Sequence, residues 1–143
     1  MKFQKLTPNF SVKDVKETVK YYQDILGFNL EMSVPDGTNV IENEITDIGQ
    51  YAYAMMSKDE VYVMFLKESN FEEDMPFLQG FPRGASVSFY IDVEGIEDVY
   101  KKLSGRVEMA KELETTWYGM REFYIKDCNG YILDFAEQEN IKG

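Results

Sequence analysis

The segment TTWYGMREFYIKDCNGYILDF, Thr115 to Phe135, carries the clearest fold signal in the chain. Two runs rich in β-branched and aromatic residues, around Met120–Lys126 and Tyr131–Glu137, flank a turn-forming tetrapeptide and predict an antiparallel β-hairpin. Asp134 places a carboxylate among the apolar residues of the second strand. A charged side chain in a strand that is otherwise apolar needs a functional or structural explanation.

The register of this hairpin decides which residues accompany Asp134. A two-residue loop formed by Cys128-Asn129 predicts that Asp134 pairs with Phe123 and that Ala136 pairs with Arg121. Residues two apart share a face, so Asp134 is predicted to lie diagonal to Arg121 on one face, while the alternate residues pack toward a helix. Two interpretations follow: Asp134 accepts a cationic or hydroxyl group of a ligand, or it forms a structural salt bridge with Arg121.

Outward from this hairpin, one order of elements occurs twice along the chain. In the first half a strand precedes a helix whose start is marked by the capping-box spacing of Asp14 and Glu17, and three strands follow. The second half repeats strand, helix and three strands. We therefore predict a single α+β domain, residues 1-143, made of two βαβββ modules at about 3-67 and 85-137 that are joined by an acidic loop at 68-84.

The composition restricts the partners and the compartment. Fifteen Lys and Arg against 26 Asp and Glu give a net charge of −11, which repels phosphate backbones and anionic lipids, so neither nucleic acid nor membrane is an expected partner. The chain has no apolar run of signal-peptide or membrane-spanning length. Cys128 is its single cysteine, which rules out an internal disulfide. These features predict a cytoplasmic protein.

Two motifs resemble the recurring signatures of a known superfamily. FSVKDVKETVKYYQDILGF, Phe10 to Phe28, and WYGMREFYIKDCNGYILDF, Trp117 to Phe135, are similar to those of the glyoxalase, bleomycin-resistance and extradiol-dioxygenase superfamily, also called vicinal oxygen chelate. The second motif most resembles the bleomycin-resistance branch. The resemblance implies that each module curls into a half-barrel, and that two modules enclose a cleft within one chain or across a homodimer. It also implies a small-molecule ligand.

The resemblance further implies where a metal would be held in the metal-using branches. The corresponding positions in this chain are Thr7, Met64, Ser86 and Asp134. The chain contains no histidine, and two hydroxyls, a thioether and one carboxylate make a poor site for a hard divalent ion. Metal-dependent glyoxalase, dioxygenase and thiol-transfer activities are therefore disfavoured, and we expect no metal and no other cofactor.

Strand periodicity and the resemblance together select the candidate ligand-binding residues. Alternate residues of each first strand share a face with the ligand positions, and nearby aromatic residues are candidates for stacking walls, although aromatic residues in strands more often serve packing. The candidates share a predicted position on the cleft face or at its mouth: Thr7, Asn9, Tyr62, Met64, Ser86, Ser88, Tyr90, Trp117, Arg121, Phe123 and Asp134.

Two functions remain open from the sequence. The first is a metal-free binding protein of the bleomycin-resistance type, which sequesters a cationic or amphipathic ligand, such as an antibiotic, and catalyses no reaction. The alternative is a lyase- or isomerase-like enzyme in which Asp134, Glu122 or a tyrosine supplies acid-base chemistry without a histidine-bound metal. A desolvated Asp134 in a closed site would favour the enzyme. A third possibility, a vestigial cleft on a protein that acts through a partner surface, requires a large exposed apolar patch.

Overall fold

Each half of the chain forms a four-stranded sheet with a helix on one face. The computed structural model describes residues 1–84 and 86–139, and the chain divides into two compact units, Met1–Phe81 and Pro82–Gly143, here called the first and second modules. The first contains β1 (Asn9–Val12), α1 (Val15–Asp24), β2 (Asn29–Pro35), β3 (Tyr51–Lys58), β4 (Val61–Lys67) and α2 (Glu68–Asp74), and the second contains β5 (Ser88–Asp92), α3 (Ile96–Leu103), β6 (Glu108–Thr115), β7 (Met120–Lys126) and β8 (Ile132–Gln138).

This order confirms the predicted βαβββ repeat and the α+β class. The strands lie in the order β1-β4-β3-β2 in one sheet and β5-β8-β7-β6 in the other. In both sheets the first strand runs parallel to the last strand of its module, and the other neighbours are antiparallel. In the described part of the chain, no helix is long and apolar enough to cross a membrane.

Helix α1 begins where the sequence predicts. The Asp14 side chain accepts a hydrogen bond from the Glu17 backbone N–H at 3.1 Å, which satisfies one of the free donors of the first turn. The buried side of the helix places Tyr22 against Phe65 of β4, with ring centroids 4.7 Å apart. Phe10 of β1 also stacks on Phe65. The face of the sheet that carries these rings is therefore the core face. In each module we call the face that packs against the helix the core face and the other side of the same sheet the open face.

The segment after β4 differs from its predicted form. Residues 68–84 were expected to form an acidic loop, but Glu68–Asp74 forms α2 and Pro76–Leu78 forms a turn of 3-10 helix. Neither element buries a residue. The acidic, polar composition of this segment predicts a loop, but an exposed helix has the same composition.

The core of the second module lies between α3 and the central strands of the sheet. Phe123 of β7 is fully buried, stacks on Phe135 of β8 at 5.3 Å, and meets the edge of Tyr100 of α3 at 5.2 Å. The Glu137 carboxylate accepts hydrogen bonds from the backbone N–H groups of Gly95 and Ile96 at 3.0 and 3.1 Å, so it caps the start of α3. These two bonds lower the pKa of Glu137.

The register of the β7–β8 hairpin is one residue away from the predicted register. Lys126 pairs with Ile132, and the Asp127 N–H donates to the Tyr131 carbonyl at 2.9 Å, so the loop contains residues 128–130 and not Cys128-Asn129 alone. Gly130 has a φ of 90°, the left-handed conformation typical of a three-residue hairpin loop. Tyr124, and not Phe123, therefore lies opposite Asp134.

Asp127 holds this three-residue loop in place. Its Oδ1 atom accepts backbone hydrogen bonds from Asn129 and Tyr131, both at 2.9 Å, and the residue is only 6% exposed. Asp127→Ala is expected to lower the free energy of unfolding by about 2 kcal/mol, because it leaves two amide donors without their acceptor. Urea unfolding measures this change. A loss below about 0.5 kcal/mol would show that water replaces the carboxylate at no cost.

Candidate functional site

Two buried carboxylates lie side by side on the open face of the second module. Glu122 of β7 is directly opposite Ala136 of β8, and Tyr124 is directly opposite Asp134. Directly opposed residues and residues two apart along a strand share a face, so Glu122 and Asp134 are diagonal neighbours. Glu122 is 1% exposed and Asp134 is 6% exposed. We call these two residues the carboxylate pair.

Tyrosine hydroxyls supply the hydrogen bonds that the carboxylate pair receives. Tyr118 donates to Glu122 Oε1 at 2.6 Å, and the Tyr124 hydroxyl lies 3.4 Å from the same oxygen. Tyr124 lies directly opposite Asp134, and its hydroxyl lowers the pKa of the Asp134 carboxylate. Glu122 Oε2 and Asp134 Oδ1 are buried, and neither has a hydrogen-bond partner among residues 1–84 and 86–139. Two acceptor atoms are therefore left without donors on adjacent strands.

The negative charge of the carboxylate pair is not fully compensated by the neighbouring Tyr124 hydroxyl and Lys111 ammonium. Burial and the neighbouring Glu122 carboxylate raise the pKa of Asp134 to about 6, although the Tyr124 hydroxyl and the charge of Lys111 act in the opposite direction. The hydrogen bond to Glu122 raises the pKa of Tyr118 to about 12, which keeps its hydroxyl protonated and donating at neutral pH. The site is therefore an acceptor site that favours a positive charge.

The groups around the pair come from every neighbouring element of the module. β5 contributes Tyr90, which lies directly opposite Asp134. Partial desolvation, and then the charges of Asp92, Glu122 and Asp134, raise the pKa of Tyr90. β6 contributes Lys111, whose Nζ forms an ion pair with Glu114 at 2.9 Å and lies 5.4 Å from the centre of the Tyr124 ring. The nearby ammonium of the chain is thus already engaged by another carboxylate.

The structure brings some predicted residues of the second module to this site. Ser88 and Tyr90 of β5 lie on the open face with Asp134, because Ser88 is opposite Ile132 and Tyr90 is opposite Asp134. Ser86 precedes β5, is exposed, and has a φ of 67°. It is therefore not part of the strand face on which the sequence placed it.

Arg121 and Phe123 lie on the opposite face from the prediction, because the register is one residue away. Arg121 forms an ion pair with Glu97 of α3 at 2.6 Å, and Phe123 packs in the core against that helix. Of the two interpretations of Asp134, the salt bridge with Arg121 is therefore wrong, and binding of a ligand group stays a prediction. Their places on the open face are taken by Glu122 and Tyr124.

In the first module, three of the four predicted residues share the open face. Asn9 of β1 lies opposite Met64 of β4, and Tyr62 is two residues before Met64. Lys5 Nζ lies 3.1 Å from the centre of the Tyr62 ring, and Asn9 Oδ1 is buried without a hydrogen-bond partner in the described residues. Thr7 precedes β1 and is half-buried. Whether these residues bind a ligand stays a prediction.

Trp117 lies at the tip of the β6–β7 hairpin and is 95% exposed. Its ring meets the ring of Tyr118 edge to face at 5.3 Å, and Tyr118 in turn donates to Glu122. The only tryptophan of the chain therefore lies outside the core and contacts Tyr118, the residue that donates to the carboxylate pair.

Trp117→Phe is expected to fold normally, with a change in the free energy of unfolding below about 0.5 kcal/mol, because an exposed side chain loses little packing. The wild-type emission maximum is expected to be close to that of tryptophan in water. Urea unfolding and fluorescence spectra measure both quantities. A loss of stability of more than about 1 kcal/mol would place Trp117 in a buried interface.

The residues present do not fit the metal implied by the superfamily. No group of three or more His, Cys, Asp and Glu side chains in the described ranges could hold a metal ion. The positions aligned with metal ligands hold Thr7, Met64, Ser86 and Asp134, and only the last offers a carboxylate. We derive no reaction step through a metal.

Sequence reasoning named Glu122 only as an alternative acid-base group and missed Tyr118 and Tyr124. The signal that would have found Tyr124 is the sequence Asp127-Cys128-Asn129-Gly130, in which Gly130 takes the left-handed position of a three-residue loop. That register places Tyr124 opposite Asp134 and Glu122 on the same face. No local pattern indicates that the Tyr118 hydroxyl reaches back to Glu122, because Tyr118 lies in a turn.

Comparisons with known proteins agree with this architecture. The Glyoxalase/Bleomycin resistance protein/Dioxygenase superfamily matches the chain over residues 6–135. Among curated proteins, no significant match was found.

Solved structures match over nearly the whole chain at low sequence identity. A glyoxalase-related enzyme from Clostridium phytofermentans is 22% identical with a TM-score of 0.65, over 96% of this chain and 97% of that chain. A glyoxalase/bleomycin resistance protein/dioxygenase from Nocardioides is 15% identical with a TM-score of 0.70, over 100% and 90%. The bleomycin-binding protein of bleomycin-producing Streptomyces verticillus, complexed with copper(II)-bleomycin, is 17% identical with a TM-score of 0.59, over 99% and 99%. At these identities the similarity concerns the fold.

Proposed function

Because the chain belongs to the glyoxalase/bleomycin resistance protein/dioxygenase superfamily, we propose that it binds and sequesters a small cationic molecule at the carboxylate pair. The observation that carries this proposal is the pair of buried oxygens, Glu122 Oε2 and Asp134 Oδ1, that have no donor among residues 1–84 and 86–139. Buried charges in proteins are normally paired, and an unpaired one is costly. A bound cation supplies the missing charge and leaves the protein chemically unchanged.

The surroundings of the pair support a ligand with an apolar part beside its charge. Tyr90 and Trp117 are exposed aromatic side chains of the same module, 51% and 95% exposed, and Tyr124 flanks the carboxylates. Aromatic faces attract cations and cover flat apolar groups. Sequestration of such a molecule, for example a cationic antibiotic, lowers its free concentration without any catalytic group.

A second candidate function is acid-base catalysis by Asp134. The pKa of about 6 gives this carboxylate the proton affinity of a general base that works near neutral pH. The Tyr118 hydroxyl, with a pKa of about 12, would act there as a hydrogen-bond donor and not as a base. The two functions differ in the fate of the ligand: binding returns it intact, and catalysis does not.

Titration with charged probes tests the proposed function. Benzamidine and benzylammonium are expected to quench or shift the fluorescence of Trp117, whereas benzoate, of similar size and opposite charge, is not. Glu122→Gln is expected to weaken benzamidine binding by about tenfold or more, because it removes one charge and keeps the shape of the side chain. Glu94→Gln, which removes an exposed carboxylate from the β5–α3 turn, is the matched control and is expected to have no effect.

Two outcomes would contradict the proposal. Equal binding of benzoate and benzamidine would show that charge does not select the ligand. Equal benzamidine affinity in wild type and Glu122→Gln would place the cation elsewhere. Proton NMR of the recovered probe then separates the two candidate functions, because a changed chemical structure, including an isomer of the same mass, favours catalysis.

We also propose that the protein acts as a homodimer in the cytoplasm without a metal. Support comes from the exposed apolar side chains Phe77, Phe81 and Val87 and from the poor metal donor set described above. Native mass spectrometry reports the subunit number and any bound metal in one spectrum. A monomer, or a stoichiometric metal, would contradict the respective part of this proposal.

A further inference from the structure

We infer that the ligand group held by the carboxylate pair is a cation that carries its own N–H donors, a primary ammonium, amidinium or guanidinium, and not a quaternary ammonium. This inference rests on the proposed function and narrows its chemical class. The pair offers more acceptor atoms than its neighbours offer donors, so its need is for N–H groups and not for charge alone.

The two tyrosine hydroxyls near the pair cannot satisfy all of its acceptor atoms. The Tyr118 hydroxyl donates its single hydrogen bond to Glu122 Oε1. The Tyr124 hydroxyl can likewise donate only one hydrogen bond, to Glu122 Oε1 or to Asp134. Glu122 Oε2 and Asp134 Oδ1 remain buried without a donor in the described residues. A buried carboxylate oxygen without a donor is costly even when a positive charge is nearby, because its lone pairs have lost their water.

Cations differ in the number of N–H donors that they can offer to the two carboxylate oxygens. A trimethylammonium group offers charge but no N–H, so it would leave both oxygens without donors. A primary ammonium has three N–H donors and an amidinium or guanidinium has four or five in one plane, so each reaches both carboxylates with hydrogen bonds. Diagonal residues on adjacent strands lie roughly 5–8 Å apart at their Cβ atoms, a gap that one such group bridges.

In the described second module, the two cationic side chains nearest in the fold, Lys111 and Arg121, are both engaged with other carboxylates. Lys111 is the ammonium whose charge acts on Asp134, and it is held in an ion pair with Glu114 at 2.9 Å beside the Tyr124 ring. Arg121 lies on the helix side of the sheet with Glu97. The aromatic rings alone would accept a quaternary ammonium as well, so the donor requirement is the feature that separates the two classes.

A series of probes that share a phenyl ring and a single positive charge and differ in their N–H donors tests this requirement. Benzylammonium, benzamidine and benzyltrimethylammonium are titrated into the wild-type protein by calorimetry at pH 7.5. We expect the first two to bind about tenfold or more tighter than the third, because each oxygen left without a donor weakens binding. In the double variant Glu122→Gln/Asp134→Asn, which keeps the side-chain shapes, we expect this preference to disappear, and Glu94→Gln should retain it.

Each result has a defined meaning. If benzyltrimethylammonium binds as tightly as benzylammonium, the donor inference is wrong, whereas cation binding at the pair stands provided that the double variant abolishes it. If none of the three cations binds, or if binding survives in the double variant, the proposed function fails and the inference fails with it. Circular dichroism of the variant confirms that it is folded, and the wild-type series is decisive without it.

Discussion

Asp134→Asn is expected to make the free protein more stable at pH 8 and to weaken its binding of benzamidine by about 30-fold. Asp134 is buried next to Glu122, and its folded-state pKa of about 6 lies above the ordinary value of 3.8. The ionised side chain therefore costs the folded protein free energy at pH 8. Asn has nearly the same shape without the charge, so the substitution removes this cost.

The pH dependence of the stability follows from the direction of the shift. Above pH 6 Asp134 is ionised in both folded and unfolded chains, and the folded chain bears the full cost. As the pH falls through about 6, the folded protein takes up the proton first and the cost is relieved. Below about pH 4 the unfolded chain is protonated as well. The variant is thus expected to be more stable than wild type by about 2 kcal/mol at pH 8. One pKa unit corresponds to about 1.4 kcal/mol, and solvent at the open face screens part of the repulsion between the two carboxylates.

Binding changes in the opposite direction from stability. The cation loses one of its two charged acceptors, and a hydrogen bond to a charged group contributes about 2 kcal/mol, which corresponds to about 30-fold in affinity. Wild-type affinity is expected to fall by about tenfold between pH 7 and pH 5, because the ligand must compete with the proton on Asp134. The variant should lack most of this dependence.

Urea unfolding at pH 5 and pH 8 and calorimetric titration at both values measure these effects. Glu94→Gln, an exposed carboxylate of the same module, is the charge-matched control and should alter neither. Equal stability of wild type and Asp134→Asn at pH 8 would mean that water or Tyr124 fully compensates the charge. Unchanged affinity would remove Asp134 from the site.

Phe123→Ala is expected to lower the free energy of unfolding by about 3–5 kcal/mol, which is the range for removal of a fully buried aromatic ring. The ring is 0% exposed, stacks on Phe135 and meets Tyr100 of α3. Its loss leaves a cavity between the sheet and the helix. Since natural domains are stable by about 5–15 kcal/mol, the second module would then be close to unfolding at room temperature.

This prediction distinguishes the observed register from the one expected from the sequence. If Phe123 were a ligand-binding residue on the open face, its removal would weaken benzamidine binding and leave stability nearly unchanged. Phe123→Leu, which keeps most of the volume, is the conservative control and should lose much less stability. Chemical denaturation with far-ultraviolet circular dichroism as the signal measures all three proteins, because Trp117 is already exposed in the folded state. A loss below about 1 kcal/mol for Phe123→Ala would contradict the packing described above.

The sequence by itself determined the elements and their repetition. Alternating apolar residues in strands, the cap at Asp14 and the turn glycines are local signals, so the βαβββ order and the α+β class followed without any long-range information. It also determined that Asp134 lies on the open face of its strand, because alternation along β8 depends only on the strand itself.

The tertiary structure decided which residues stand beside Asp134. Strands β7 and β8 pair in a single register. A change from a two-residue to a three-residue loop shifts this register by one residue, which moves every side chain of β7 to the other face of the sheet. That single step exchanged Arg121 and Phe123 for Glu122 and Tyr124, and it turned a predicted salt bridge into two like charges. The burial of the pair and the hydrogen bond from Tyr118 to Glu122 also depend on the folded sheet. No local pattern in the sequence indicates how deeply a carboxylate is buried or which hydroxyl donates to it.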